Sequence, residues 1–203
     1  MTRCASFIFF AVLLLSGSAR AAAPSVEQIV RWLPADQAVE VEQIQPLTLI
    51  DGEQAYLASV SFPDAGRNFW AGYVLVRPAL QQAQVLEGYG GQYNGVILSG
   101  DLPVIIGGAG SGQGVVEASY SAVVFDGWQP VEMYRVEESD NSGNCGEGTA
   151  CEGKRVFLNF VQVGGSDSLR LSVTEVSYSS TGDDDPEPRA TTRSELVRLA
   201  VAN

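Results

Sequence analysis

The 203-residue sequence contains no histidine at all. Without an imidazole there is no Ser-His-Asp or Cys-His nucleophile, no histidine general base and no histidine-ligated zinc or haem. Lysine is nearly absent too: Lys154 stands alone, and it follows no Ser-x-x-Lys. With no Gly-x-Ser-x-Gly elbow either, serine hydrolase chemistry has no parts to work with. Basic residues are scarce as a class, 12 Lys+Arg against 24 Asp+Glu, for a formal charge of −12. Such a balance excludes nucleic acid and anionic membrane surfaces, whose phosphates have to be neutralised by Lys and Arg.

Long apolar runs are missing as well. The one hydrophobic stretch near the start, Phe7–Leu15, is far below the ~20 residues of a membrane span. With Arg3 before it, Ser16-Gly17-Ser18 breaking it and Ala19-Arg20-Ala21 closing it, residues 1–21 read as a signal peptide cleaved after Ala21. Cleavage removes two arginines and no acid, so the charge moves from −12 to −14. A periplasmic or secreted location follows.

Cys4 leaves with the signal peptide, and Cys145 and Cys151 remain. A lone close pair in an oxidising compartment reads as a disulfide. The Cys-x-x-Cys spacing of redox-active pairs is absent.

The remainder, residues 22–203, reads as a single β-rich domain with one short N-terminal helix. Ser25 and Gln28 make a capping box, Val26, Ile29, Val30 and Leu33 form one face, and Pro34 ends the helix. After Val39 come short runs rich in Val, Ile, Tyr and Phe: Gln54–Phe62, Phe69–Val76, Gly95–Leu98, Pro103–Ile106, Val115–Phe125 and Val131–Val136. Three more follow at Arg155–Val163, Leu169–Tyr178 and Arg193–Val201. Asp51-Gly52 and Asp126-Gly127 are the strongest hairpin turns. The fold class expected is all-β, with antiparallel sheets in a sandwich or a partial β-propeller-like array.

Glu53–Leu86, Asp101–Val136 and Lys154–Leu199 share an irregular pattern: apolar strand, small-residue turn, second strand, hairpin arm. The middle copy contains Val104-Ile-Ile-Gly-Gly-Ala-Gly-Ser-Gly-Gln-Gly and then Tyr120-Ser-Ala-Val-Val-Phe-Asp-Gly. It resembles the blade repeats of FG-GAP/VCBS-like secreted proteins. The resemblance implies a β-rich interaction scaffold; the Asp-x-Asp-Gly-Asp calcium loop of those families is missing from every copy.

Gly88–Gly114 holds ten glycines in 27 residues, yet neither the dinucleotide fingerprint nor the P-loop is present. An alternating strand follows in place of a helix N-terminus, so close packing and tight turns explain these glycines better than a phosphate site. No cofactor is expected. The acid clusters Glu137–Asn144 and Asp183–Glu187 lack the spaced calcium-loop pattern, and the second lies in a Ser/Thr/Gly/Asp/Pro-rich loop, 179–192, expected to be mobile.

Carboxylates are the one catalytic resource left, with Asp101, Glu117, Asp126 and Glu132 on strand-flanking turns as candidates. No pair among them is singled out, so a binding role is favoured over catalysis. The aromatics Phe69, Trp70, Tyr73, Tyr89 and Tyr93 are the candidate partner-binding residues, weighed against a place in the core. The leading expectation is an exported non-catalytic binding protein that recognises a protein or an envelope component. A sharper version is a periplasmic inhibitor or immunity protein against a basic hydrolase, because opposite charge speeds encounter. A carboxylate-dependent glycan hydrolase is the alternative from another class, and a purely structural envelope protein is a third.

Overall fold

A computed structural model describes residues 22–66, 69–98, 103–146, 149–162, 169–180 and 189–198. Residues 1–21, expected to be a signal peptide, together with Asp101, the Asp183–Glu187 cluster and positions 181–188 of the acidic loop, lie outside the described residues.

The chain is all-β with one short helix, α1 (Val26–Trp32). Its capping box forms as the sequence implies: the Ser25 hydroxyl accepts from the Gln28 amide at 3.3 Å, and the Gln28 side chain accepts from the Ser25 amide at 2.8 Å. Of the apolar stripe, Ile29 and Leu33 are buried while Val26 and Val30 stay exposed. A seven-residue helix cannot hold itself together in water. It forms because Ile29 and Leu33 pack on a sheet.

That sheet is the antiparallel ribbon β1 (Glu40–Thr48), β2 (Gln54–Ser61), β3 (Ala71–Arg77) and β4 (Gln82–Val85), in sequence order. It is covered on both faces, so β2 and β3 read as nearly continuous apolar runs instead of alternating ones. One face sends Tyr56, Ala58, Val60, Val74 and Val76 toward the helix. The opposite face sends Leu57, Tyr73 and Leu75 into the second sheet.

The second sheet is a seven-stranded meander: β5 (Tyr93–Leu98), β6 (Val104–Gly112), β7 (Val115–Asp126), β8 (Gln129–Asp140), β9 (Cys151–Gln162), β10 (Leu169–Ser180) and β11 (Arg189–Arg198). Val104, Ile106, Val123 and Phe125 meet the first sheet and close a sandwich core. The Asp51-Gly52 turn docks on this interface, where the Ile50 amide donates to the Phe125 carbonyl at 2.9 Å. Glu53 just beyond it pairs with Arg77, whose guanidinium lies 5.0 Å above the Trp128 ring.

β8 and β9 pair only at Ser139–Lys154 and Asp140–Gly153. Beyond that point β9–β11 turn onto the far face of β6–β8, where Ile105, Ala122 and Val136 pack with Val156, Leu171 and Val173. The Glu138 carboxylate sits where the ladder stops, accepting from the Val156 amide at 2.5 Å and the Tyr120 hydroxyl at 3.4 Å. Cys145 and Cys151 are joined as a disulfide across the β8–β9 connection.

Several expected elements differ. The strand expected from Phe69 begins at Ala71, leaving Phe69 and Trp70 on the loop before it. The stretch Gly107–Gly112, read as a turn, continues β6 as regular strand. β4 was not marked as a separate strand. The three repeat-like segments do not recur as separate sheets: the first supplies β2–β4, while the second and third are joined in one sheet as β6–β8 and β9–β11. No helix among the described residues is long and apolar enough to cross a membrane.

Candidate functional site

The register of the second sheet decides what its uncovered surface presents. Side chains alternate faces along a strand, so Gly108 and Gly110 of β6 share a face with Val104 and Ile106. Ladder partners extend that face to Ser119 and Glu117 on β7, then to Arg135, Glu137 and Ser139 on β8. At the Val104 end the first sheet covers it. At the other end it is uncovered and forms the floor of a groove of about 760 Å³, walled by Gly90, Gly91 and Gln92.

Glycine makes the wall possible. A Cβ on Gly108 would lie 2.0 Å from the Gly90 carbonyl oxygen, and one on Gly90 would lie 2.2 Å from the Ala71 carbonyl oxygen. Gly90 also sits at φ +113°, in the region side chains disfavour. Gln92 fixes the rim: its amide side chain exchanges two 2.9 Å hydrogen bonds with the backbone of Ser111. The glycine-dense segment is therefore a close-packed strand pair and its wall, with no helix N-terminus beside it.

Charges on the floor are ordered by cross-strand pairing. Glu137 faces Ser119 and Glu117 faces Ser139. The two glutamates are thus diagonal neighbours on adjacent strands, their Cα atoms about 7 Å apart by sheet geometry. The Arg135 guanidinium stands 3.5 Å from Glu137 and 3.7 Å from Glu132. Glu132 also accepts from the Ser121 hydroxyl at 2.6 Å. Lys154, opposite Ser139, lines the end of the groove.

Of the carboxylates considered from sequence, Glu117 lies on this floor and Glu132 borders it through Arg135. Asp126 ends β7 at the Gly127 turn. The Glu137–Asn144 cluster disperses instead of converging. Glu137 enters the groove, Glu138 joins the β8–β9 junction, and Asp140 bonds the Ser142 amide at 2.8 Å and Arg155 at 3.2 Å. Hydrogen bonds from Ser142, then Tyr178 and Arg155, hold the Asp140 carboxyl at a pKa of about 2. Among the described residues no three Asp, Glu or Cys side chains are grouped to hold a metal ion.

The aromatics separate into two sets. Ala71 and Gly91 form an isolated antiparallel bridge. Phe69 and Trp70 lead into it on one segment and Tyr93 follows it on the other, at 73%, 50% and 62% exposure. Tyr93, the ladder partner of Ala109, stands on the sheet face opposite the Gly108–Gly110 floor, so the three exposed rings surround the bridge beside the groove wall without lining the groove. Tyr73 does not join them. It is fully buried, with its hydroxyl bonded to Gly95 and Gly107 of the second sheet, and a partner cannot reach it. Tyr89 is half-buried against the sandwich core; burial, then the nearby Glu132 charge, raises its phenol pKa. Arg135 and Gln92 were not singled out from sequence, and Glu137, Gly90 and Gly91 only as members of an acid cluster and a glycine-dense stretch, since only cross-strand register places them together. Comparison with protein-family models, curated proteins and solved structures finds no match.

Proposed function

We propose that the protein is exported and acts as a non-catalytic binding protein, recognising a protein partner or an envelope component at this groove and the exposed aromatics next to its wall. The observation that carries the reading is a groove floored by Glu117 and Glu137 whose wall, at the Ala71–Gly91 bridge, adjoins the segments that carry the exposed Phe69, Trp70 and Tyr93. Large exposed rings beside a polar floor are the composition of interaction hot spots. They are costly to leave in water unless something covers them. The partner chemistry that fits is basic: Glu117 stands on the floor, Glu132 and Glu137 together outweigh the single Arg135 charge they pair with, Lys154 is confined to the end of the groove, and the chain as a whole is strongly acidic. A cationic hydrolase neutralised by this protein is the sharpest form of the reading. Immobilised protein should retain such a hydrolase at low salt and release it as salt rises. Retention of no basic protein from an envelope extract would dismiss it.

One observation favours a second reading, a carboxylate-dependent glycan hydrolase. Glu117 and Glu137 are diagonal neighbours on adjacent strands of the groove floor, and a pair of carboxyls on one groove is what such hydrolases require. On that reading, activity on envelope or host polysaccharide disappears in Glu117→Gln and in Glu137→Gln. Equal activity in the variants, or none in the wild type, removes it.

A further inference from the structure

Among the described residues the two sheets end in four outermost strands, β1, β4, β5 and β11, each a row of backbone groups available to another strand. Three of them are guarded. β1 carries Pro46 and a register shift between Val41 and Gln43. β4 is only four residues long. β5 is tied to the first sheet by Asn94, whose side-chain amide donates to the carbonyls of Gly72 at 2.8 Å and Val60 at 3.3 Å.

β11 has none of these devices. Its ten residues pair with β10 in unbroken register from Arg170–Arg198 to Ser179–Arg189, without bulge, proline or lysine. Among the described residues no strand pairs with its outer edge.

What β11 does carry is a charge pattern centred on Ser194, with Arg193 on one side and Glu195 on the other. Both stand on the same face, and within one chain they pair at 2.8 Å. Against a neutral strand they would deter pairing, as inward-facing charges on an edge do. Against an antiparallel copy of the same strand they match. A two-fold axis at Ser194 sets Arg193 opposite Glu195 of the second copy, and the reverse, so the contact is made twice. The same register sets Thr192 opposite Leu196 of the second copy, shielding a leucine that is 53% exposed. We infer that β11 is a homodimerisation edge, joining two copies into one continuous antiparallel sheet through a two-fold axis at Ser194.

The test is the oligomeric state of the purified protein, by sedimentation across a concentration series, for wild type, Arg193→Glu, Glu195→Arg and an equimolar mixture of the two variants. Wild type should sediment as a dimer that dissociates on dilution. Either single variant sets like charges opposite each other at both contacts and should weaken the dimer about tenfold or more. Each also loses its own internal Arg193–Glu195 pair, and mixing does not restore that. Mixing does restore opposite charges across the two-fold, so the mixture should dimerise as a heterodimer. A wild type that stays monomeric at every concentration overturns the inference. So does a single variant that dimerises as tightly as wild type, or a mixture of folded variants that remains monomeric.

Discussion

The Tyr73 hydroxyl is 2.7 Å from both the amide nitrogen and the carbonyl oxygen of Gly95. Gly95 and Gly107 are ladder partners on β5 and β6, and the hydroxyl also bonds the Gly107 backbone. A phenol from the first sheet is thus wedged into a strand pair of the second. Burial raises its pKa, so it serves as a neutral donor and acceptor. Tyr73→Phe leaves buried amide and carbonyl groups without that partner and should cost about 1–3 kcal/mol, read as a lower urea midpoint with unchanged m-value. A variant as stable as wild type would show that this hydroxyl is not a tie between the sheets.

Arg77 is a second tie, held by Glu53 in two hydrogen bonds and stacked on Trp128 of the opposite sheet. A double-mutant cycle of Arg77→Ala and Trp128→Ala should give a coupling of about 0.5–1 kcal/mol. Arg77→Lys should not recover it, since an ammonium cannot both bridge the carboxylate and stack.

Asp140 gives the protein an acid limb. Its folded-state pKa, about 2, lies below the ordinary value of 3.8. A depressed carboxylate stabilises the fold above its unfolded pKa, and that contribution is lost as pH falls through the folded value. Stability should therefore decline between pH 3.8 and about 2, and Asp140→Asn should flatten the decline in that window. An equally steep decline in the variant would assign it to other carboxylates.

The disulfide closes a short loop where β8 and β9 share only two ladder pairs. Cys145→Ser with Cys151→Ser should lose about 2.4 kcal/mol by chain entropy, measured by thermal or chemical unfolding. Opening the hairpin end should also raise amide exchange at Gly153 and Lys154.

Legibility from sequence followed the range of the signal. The capping box at Ser25 and Gln28, the Asp-Gly turns at 51–52 and 126–127 and the Cys145–Cys151 pair are local, and the structure has all of them in place. Gly107–Gly112 misled because glycine is depleted in strands. Here β6 needs it, since no side chain fits between Gly108 and Gly90. Tyr73 was grouped with Phe69 and Trp70 by proximity in sequence. β3 is covered on both faces, so alternation could not show that this ring points into the sandwich. The groove floor was the least legible feature, because Glu117 and Glu137 become neighbours only through the β7–β8 register.

The most direct test of the proposed binding role is capture from envelope extract at low salt on immobilised wild type, set beside Phe69→Ala/Trp70→Ala/Tyr93→Ala and Glu117→Gln/Glu137→Gln. All five side chains substituted or neutralised are exposed, so folding should be preserved. The result expected is a basic protein retained by wild type, released by raised salt, and lost in both variants. Equal retention by all three proteins, or retention of nothing basic by wild type, would contradict a recognition site at this groove.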